Sequence, residues 1–445
     1  MERAFMSSTK KTTILRHVVV ASMWFGISFL WGSFLAIVLP FLLVPQHITA
    51  GNPALVSPDF KNSALAILEG FGLVFALVVQ PAAGAFSDTL RTRWGRRRPL
   101  IVIGVLVGVL GLISMEFTFN FVLMIVLYCI LQCGMNIAQG AYQGLLPDAI
   151  PPSERSRGSG FIGIFQLLGQ AAGTVSAGFI DPRPMCAVVG AVLLVILAIT
   201  AFGVHEEPLP RHVNDNPENL HRPPLFERIL GYFADFRGHR DFLWVVLSRF
   251  SAYTGLAGIE RFAANYLRDT YHGHFNLFGY AFTSDAEATS LVVLTVLILS
   301  LVTTYPAVSL SKRIGRRKVL IVGSVSGGIG SLLLMMAGSL SQAVLDATFL
   351  GICTGCMFSV DWAYMVDLSP KEKAGKFLGF SNIATAGSQA AVPTIMGPII
   401  DAVNKHTAAG GYIVLFAVSA LFFFLGAAIL SQVQHQAIGE TDVAT

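Results

Sequence analysis

Twelve separate runs of about 20 apolar residues, each long enough to cross a bilayer core as a helix, dominate this chain of 445 residues. They lie near 18–42, 63–87, 99–117, 121–146, 159–180 and 185–204. After a polar stretch they resume near 241–267, 286–310, 319–340, 343–366, 377–400 and 412–432. The first run is too long for a signal-peptide core and is read as a spanning helix. Composition agrees: 54% of residues are hydrophobic and 13% charged, against roughly a quarter charged in a typical soluble chain. The 43 glycines and 33 phenylalanines suit helices that approach closely in lipid. An all-α integral membrane protein with twelve transmembrane helices is expected.

An even number of spans puts both termini on one side of the bilayer. Placing them in the cytoplasm sends about 24 of the 30 Lys and Arg to inner loops, as the positive-inside rule requires. The opposite orientation violates it. The net charge of +4 is therefore read as an orientation signal and not as affinity for nucleic acid. A multi-pass protein of the plasma (inner) membrane follows as the expectation.

The polar stretch is rich in Pro, His and charge, and it divides the chain into an N-terminal six-helix bundle (1–204), a cytoplasmic linker (205–240), a second bundle (241–432) and a short tail (433–445). The halves repeat. Arg93-Trp94-Gly95-Arg96-Arg97-Arg98 matches Arg313-Ile314-Gly315-Arg316-Arg317-Lys318 at an offset of about 220, and Asp148 with Glu154 matches Asp367 with Glu372. Two pseudo-symmetric bundles with a solute site between them at mid-membrane are the expected architecture.

The most specific local pattern is Gln80-Pro81 with Gly84 and Asp88, followed by Arg93, Gly95, Arg96 and Arg97. A glycine turn, a carboxylate at one helix end and arginines at the next can form charge-assisted bonds. Such bonds are expected to hold the bundles together at a cytoplasmic gate, with Asp148, Arg316 and Asp367 in the matching positions. The plainer reading is that these arginines only enforce topology and that the carboxylates are solvated loop charges.

Charges within apolar runs cost about 2.5–3.5 kcal/mol each near a helix centre and so ask for a partner or a function. Glu69 on the second span and Asp361 on the tenth are candidates for cation coupling, because a buried carboxylate can exchange a proton. Arg249 on the seventh is a candidate substrate contact. Glu260 and Arg261 lie nearer the outer end and are read as hydrated. Structural ion pairing is the alternative for each.

Gln132, Asn136, Gln139 and Gln143 fall on one face of the fourth span and suit a hydrated path along which amides exchange bonds with hydroxyls. Interhelical amide bonding is the alternative. Trp24, Trp31, Tyr142 and Trp362 can stack on sugar rings, or serve in ordinary helix contacts. The five cysteines, including Cys353 and Cys356 in a C-x-x-C spacing, are read as inert small residues. The sequence shows no nucleophile–base set, metal-ligand cluster or phosphate loop, so no enzymatic activity, metal or cofactor is expected.

Gln80-Pro81 through Arg98-Pro99, together with Asn136-x-x-Gln139-Gly140 ending at Asp148, resembles the sucrose–proton symporter branch of the glycoside–pentoside–hexuronide carriers, within the major facilitator superfamily. The resemblance implies the major facilitator fold and a cation-coupled carrier of a sugar or glycoside; a proton is the candidate coupling ion, and a monomer is expected. It also exposes departures. Gln132 stands where the plant carriers align a membrane carboxylate, Gln143 where they have an arginine, and Ala76 and Gln80 where sodium-coupled melibiose carriers have paired aspartates. Coupling is then left to Glu69 or Asp361, or the protein equilibrates its solute as an uncoupled facilitator. A drug or metabolite exporter of the same fold is the main rival. A channel or a non-transporting receptor fits the two-half repeat less well.

Overall fold

The computed structural model describes residues 14–49, 51–145, 150, 154–204, 236, 238–282, 284–370 and 374–433. Most of the expected linker and tail, together with Asp148 and Glu372, lies outside the described residues. Twelve long helices run through the described chain. The first six are α1 (Ile14–Leu43), α2 (Lys61–Thr89), α3 (Arg98–Glu116), α4 (Phe121–Gln143), α5 (Arg155–Phe179) and α6 (Pro182–Gly203). The second six are α7 (Arg240–Tyr271), α8 (Asp285–Ile314), α9 (Arg316–Leu334), α10 (Leu340–Leu368), α11 (Ala374–Asn404) and α12 (Gly410–Leu430). Eleven of the described helices are long and apolar enough to cross a membrane; α11, with 31 residues, is the twelfth long one. A two-stranded hairpin, β1 (Phe275–Leu277) with β2 (Tyr280–Phe282), joins α7 to α8.

The helix partners repeat between halves. In the first half α1 meets α5 and α6, α3 meets α4 and α6, and α2 meets α4. Adding six to each label gives the second half: α7 with α11 and α12, α9 with α10 and α12, and α8 with α10. The two most extensive contacts between halves are α2 with α11 and α5 with α8, and the same operation exchanges them. This is the pseudo-twofold arrangement expected from the sequence repeat.

Glycine sets the closest crossings. A Cβ at Gly169 or Gly173 on α5 would lie 2.3 Å from the carbonyl oxygens of Phe25 and Phe29 on α1. These glycines are four residues apart, on one helix face, where small residues let backbones touch in lipid. Large apolar side chains remain uncovered on the outer helix faces, Leu110, Val195 and Leu301 among them, as a lipid solvent requires. The start of α1 and the end of α12 share one end of the bundle, here called the termini face; the other end is the distal face.

Candidate functional site

Helix α7 carries two buried arginines twelve residues apart, about 18 Å along a helix axis. Each meets a buried carboxylate. Near the termini face, Arg249 Nη1 lies 2.9 Å from Asp361 Oδ2 on α10. The guanidinium also donates to Thr385 Oγ1 at 2.7 Å and Ser381 Oγ at 3.0 Å, both on α11. Its carbon lies 5.4 Å from the Tyr253 ring centre and 5.6 Å from that of Trp362. Asp361 ends a short π-helical stretch, Met357–Asp361, and such bulges are frequent at functional sites. Trp362 is 43% exposed, so an aromatic face lies open beside a buried ion pair.

Toward the distal face, Arg261 Nε lies 3.3 Å from Glu69 Oε1 on α2, and this pair crosses between halves. Arg261 is buried, which corrects the expectation that it is hydrated. Its neighbour Glu260 is partly exposed and lines an apolar cavity with Leu256, Val292, Phe358 and Phe416. Beside Glu69, a Cβ at Gly72 would come within 2.8 Å of the Gln132 amide nitrogen and 3.0 Å of the Tyr128 hydroxyl. Gln132 donates to Tyr128 Oη at 2.7 Å, and Asn136 donates to the Gln132 carbonyl and side-chain oxygens at 2.8 and 3.1 Å.

The amide stripe is therefore divided. Gln132 and Asn136 are buried and bonded to α4 itself, Gln139 is half-buried, and Gln143 is exposed. Tyr142 is buried, its hydroxyl donates to the Val20 carbonyl, and its ring meets Trp24 edge-on. It clamps α4 to α1, and Trp24 and Trp31 are both half-buried.

In the described contacts the arginine loops act within halves. Gly84 lies inside helix α2, not in a turn, where a Cβ would come 3.3 Å from the Gly140 carbonyl on α4; its place is a close helix crossing. Gly95 does form the turn, at φ 96. Arg97 donates to Ser87 Oγ at 2.7 Å, and a Cβ at Gly144 would collide with its guanidinium. In the second half Arg316 donates to the Ala363 carbonyl and pairs with Asp367. Arg93 is exposed and Arg96 half-buried. Asp88 closes α2, with its side chain outside the described set, and Glu154 lies 3.5 Å from His17.

Among the described residues, a cluster of polar contacts between halves lies at the distal face, and no spacing along the chain announces it. Asp401 on α11 accepts from the backbone N–H of Ser63 at 2.7 Å, from Ser63 Oγ at 2.6 Å and from Asn62 Nδ2 at 2.8 Å. A carboxylate of one half thus caps the helix N-terminus of the other. Asn265 donates to Asn62, Lys61 pairs with Asp269, and Arg268 joins Asp285 and the Val44 carbonyl. Further along, Ser290 on α8 donates to the Thr174 carbonyl on α5 at 2.9 Å.

Among the described residues no group of three or more His, Cys, Asp or Glu can hold a metal ion. The family model for MFS/sugar transport proteins matches residues 60–370, well over half of the chain. The chain belongs to that family. It is a transporter of the major facilitator type and not an enzyme. A short segment is 36% identical over 64 residues to the human "Membrane-associated transporter protein"; the match covers 14% of this chain and 12% of that protein. The fold matches a bacterial homologue of the human lysosomal transporter Spinster, crystallised inward-facing and unoccupied, at TM-score 0.70 and 14% identity, over 95% of this chain and 99% of that one. It matches a D-xylose–proton symporter at TM-score 0.68 and 16% identity, over 96% and 99% of the two chains. The transporter shares the fold of both.

Proposed function

We propose that this transporter is a monomeric proton-coupled carrier of a sugar or glycoside that works by alternating access in the plasma membrane, with both termini cytoplasmic. The bundles 1–204 and 241–432 move about a mid-membrane site, joined by the linker 205–240. The observation that carries this reading is the pair of buried ion pairs on α7. Arg249–Asp361 lies within one half and keeps its geometry as the halves rock, so it can present a charged, hydroxyl-binding surface beside the open ring of Trp362. Arg261–Glu69 joins the halves and must part when the distal face opens. A carboxylate whose partner leaves at one stage of a cycle is suited to take up a proton at that stage.

The loop arginines brace each half, and the Asp401 cluster holds the distal side shut. The D-xylose–proton symporter shows that sugar–proton coupling exists on this fold. The cavity beside Glu260, walled by Leu256, Phe358 and Phe416, favours a second reading, an exporter of apolar metabolites. Uptake of radiolabelled sucrose into proteoliposomes, with and without an inward proton gradient, separates the cases. Accumulation driven by the gradient supports the symporter. Equal saturable uptake in both conditions makes the protein an uncoupled facilitator, and no uptake turns the search to other solutes and to export.

A further inference from the structure

An apolar cavity lies in the second half, bounded by α7, α8, α10 and α12, with Gln170 of α5 in its wall. Its empty volume is about 880 Å³, part of it open to the outside. On one side the rings of Tyr266 and Phe416 meet edge to face, 4.9 Å between centres. Glu260 stands six residues earlier on α7, about 9 Å along the helix axis. The lining holds few polar groups, and two of them are already engaged. Thr354 donates to the Leu350 carbonyl at 2.8 Å, and the Tyr266 hydroxyl lies 3.3 Å from that of Tyr271. The Glu260 carboxylate and the Gln170 amide are left to address a ligand, and the lining contains no Lys, Arg or His. Arg261 touches Glu260 from outside the lining at 3.9 Å but sits closer to Glu69, at 3.3 Å. The Glu260 side chain is 37% exposed, so its carboxylate can be approached from the cavity.

These features select a ligand by exclusion. A sugar carries hydroxyls around its whole ring, and a wall of Leu256, Val292, Phe358 and Phe416 would leave most of them without partners, a costly state for buried polar groups. A wholly apolar molecule suits the wall but strips water from the Glu260 carboxylate with nothing in return. An anion meets a carboxylate and no cation. We propose that the cavity is a second ligand site, separate from the Arg249–Asp361–Trp362 surface, and that it takes a compact amphipathic amine in its protonated form. The ammonium donates a charge-assisted hydrogen bond to Glu260. The apolar body extends toward the corner formed by Tyr266 and Phe416, where an aryl group gains edge-to-face contact. Arg249 and Glu260 are eleven residues apart on α7, about 16 Å along the axis, so one small ligand does not fill both sites. Binding of this kind requires neither sugar transport nor proton coupling, and it refines the exporter reading from apolar metabolites to amphipathic amines.

The test is calorimetric titration of the purified transporter with 2-naphthylmethylamine and with 2-naphthalenemethanol, its neutral isostere. The amine is expected to bind about tenfold or more tightly than the alcohol, the size of one hydrogen bond to a charged group. Glu260→Gln should abolish that preference by weakening the amine alone. Glu260→Asp, which keeps the charge, should retain part of it, and Phe416→Ala should weaken both ligands alike. Ligand taken up by detergent micelles contributes equally to every variant, so differences between variants report the site. Equal affinities for amine and alcohol in the wild type, a preference that persists in Glu260→Gln, or no saturable binding of either ligand overturns the proposal. If wild-type proteoliposomes fail to move sucrose while the amine preference follows Glu260, the amine site stands and the sugar assignment falls.

Discussion

Asp361 shows what a single side chain can decide in this protein. Its carboxylate is buried against Arg249, and Arg249 is further held by Thr385 and Ser381. Asp361→Asn keeps the volume and removes the charge, leaving a buried guanidinium with hydroxyl partners only. The expected outcome is a raised half-saturation concentration for sucrose in counterflow, because the solute surface loses its carboxylate; an unchanged value would take Asp361 out of that surface. A different test concerns closeness. A Cβ at Gly140 would come 2.3 Å from the Gln80 carbonyl, backbone against backbone. Gly140→Val should therefore lower the midpoint of thermal unfolding in detergent, with an overpacking cost of about 1–3 kcal/mol. An unchanged midpoint would mean that α2 and α4 can separate freely there.

At the scale of elements, the distal latch is a helix cap delivered from another body. Asp401 serves the first N–H groups of α2, and Gly397 lets α11 come close enough, since a Cβ there would lie 2.3 Å from the Asn62 carbonyl. Losing a helix cap costs about 0.5–2 kcal/mol, which corresponds to a shift of roughly 2- to 30-fold in an equilibrium. Asp401→Ala should raise the open population of the distal face by that order. The check is the labelling rate of a cysteine placed at Ser63, which should rise; an unchanged rate would mean that the other distal contacts carry closure alone. The arginine loops brace their own halves in the described contacts, because Arg97 reaches Ser87 and Arg316 reaches Asp367 within one bundle.

On the scale of the whole molecule, the contacts α2–α11 and α5–α8 are the seams along which two bodies can rock. If transport requires that motion, a covalent bridge across the distal seam must stop it. A cysteine pair at 63 and 401, joined by oxidation, should abolish sucrose counterflow, and reduction should restore it. Counterflow that persists through the bridge would exclude alternating access through this face. The within-half pair Arg249–Asp361 is not strained by such a bridge, so solute binding measured on the bridged protein should survive from the termini face.

The apolar runs, the half-chain repeat and the charges within spans were legible in the sequence, because each depends only on residue type and spacing: helix length, a repeated Gly95 and Gly315 turn, and carboxylates at 69 and 361 that must find partners in lipid. The partners themselves were not legible. Which carboxylate meets Arg261, which amides of α4 turn inward, and that Asp401 caps a helix of the opposite half depend on how helices far apart in the chain are placed side by side. Periodicity places a residue on a helix face, but says nothing of the neighbour that face will meet. Tyr142 and Gly84 illustrate the limit. Both matched chemically suggestive patterns, and both were claimed instead by close helix crossings, because lipid rewards contact between backbones and bonding between buried polar groups wherever small residues allow it.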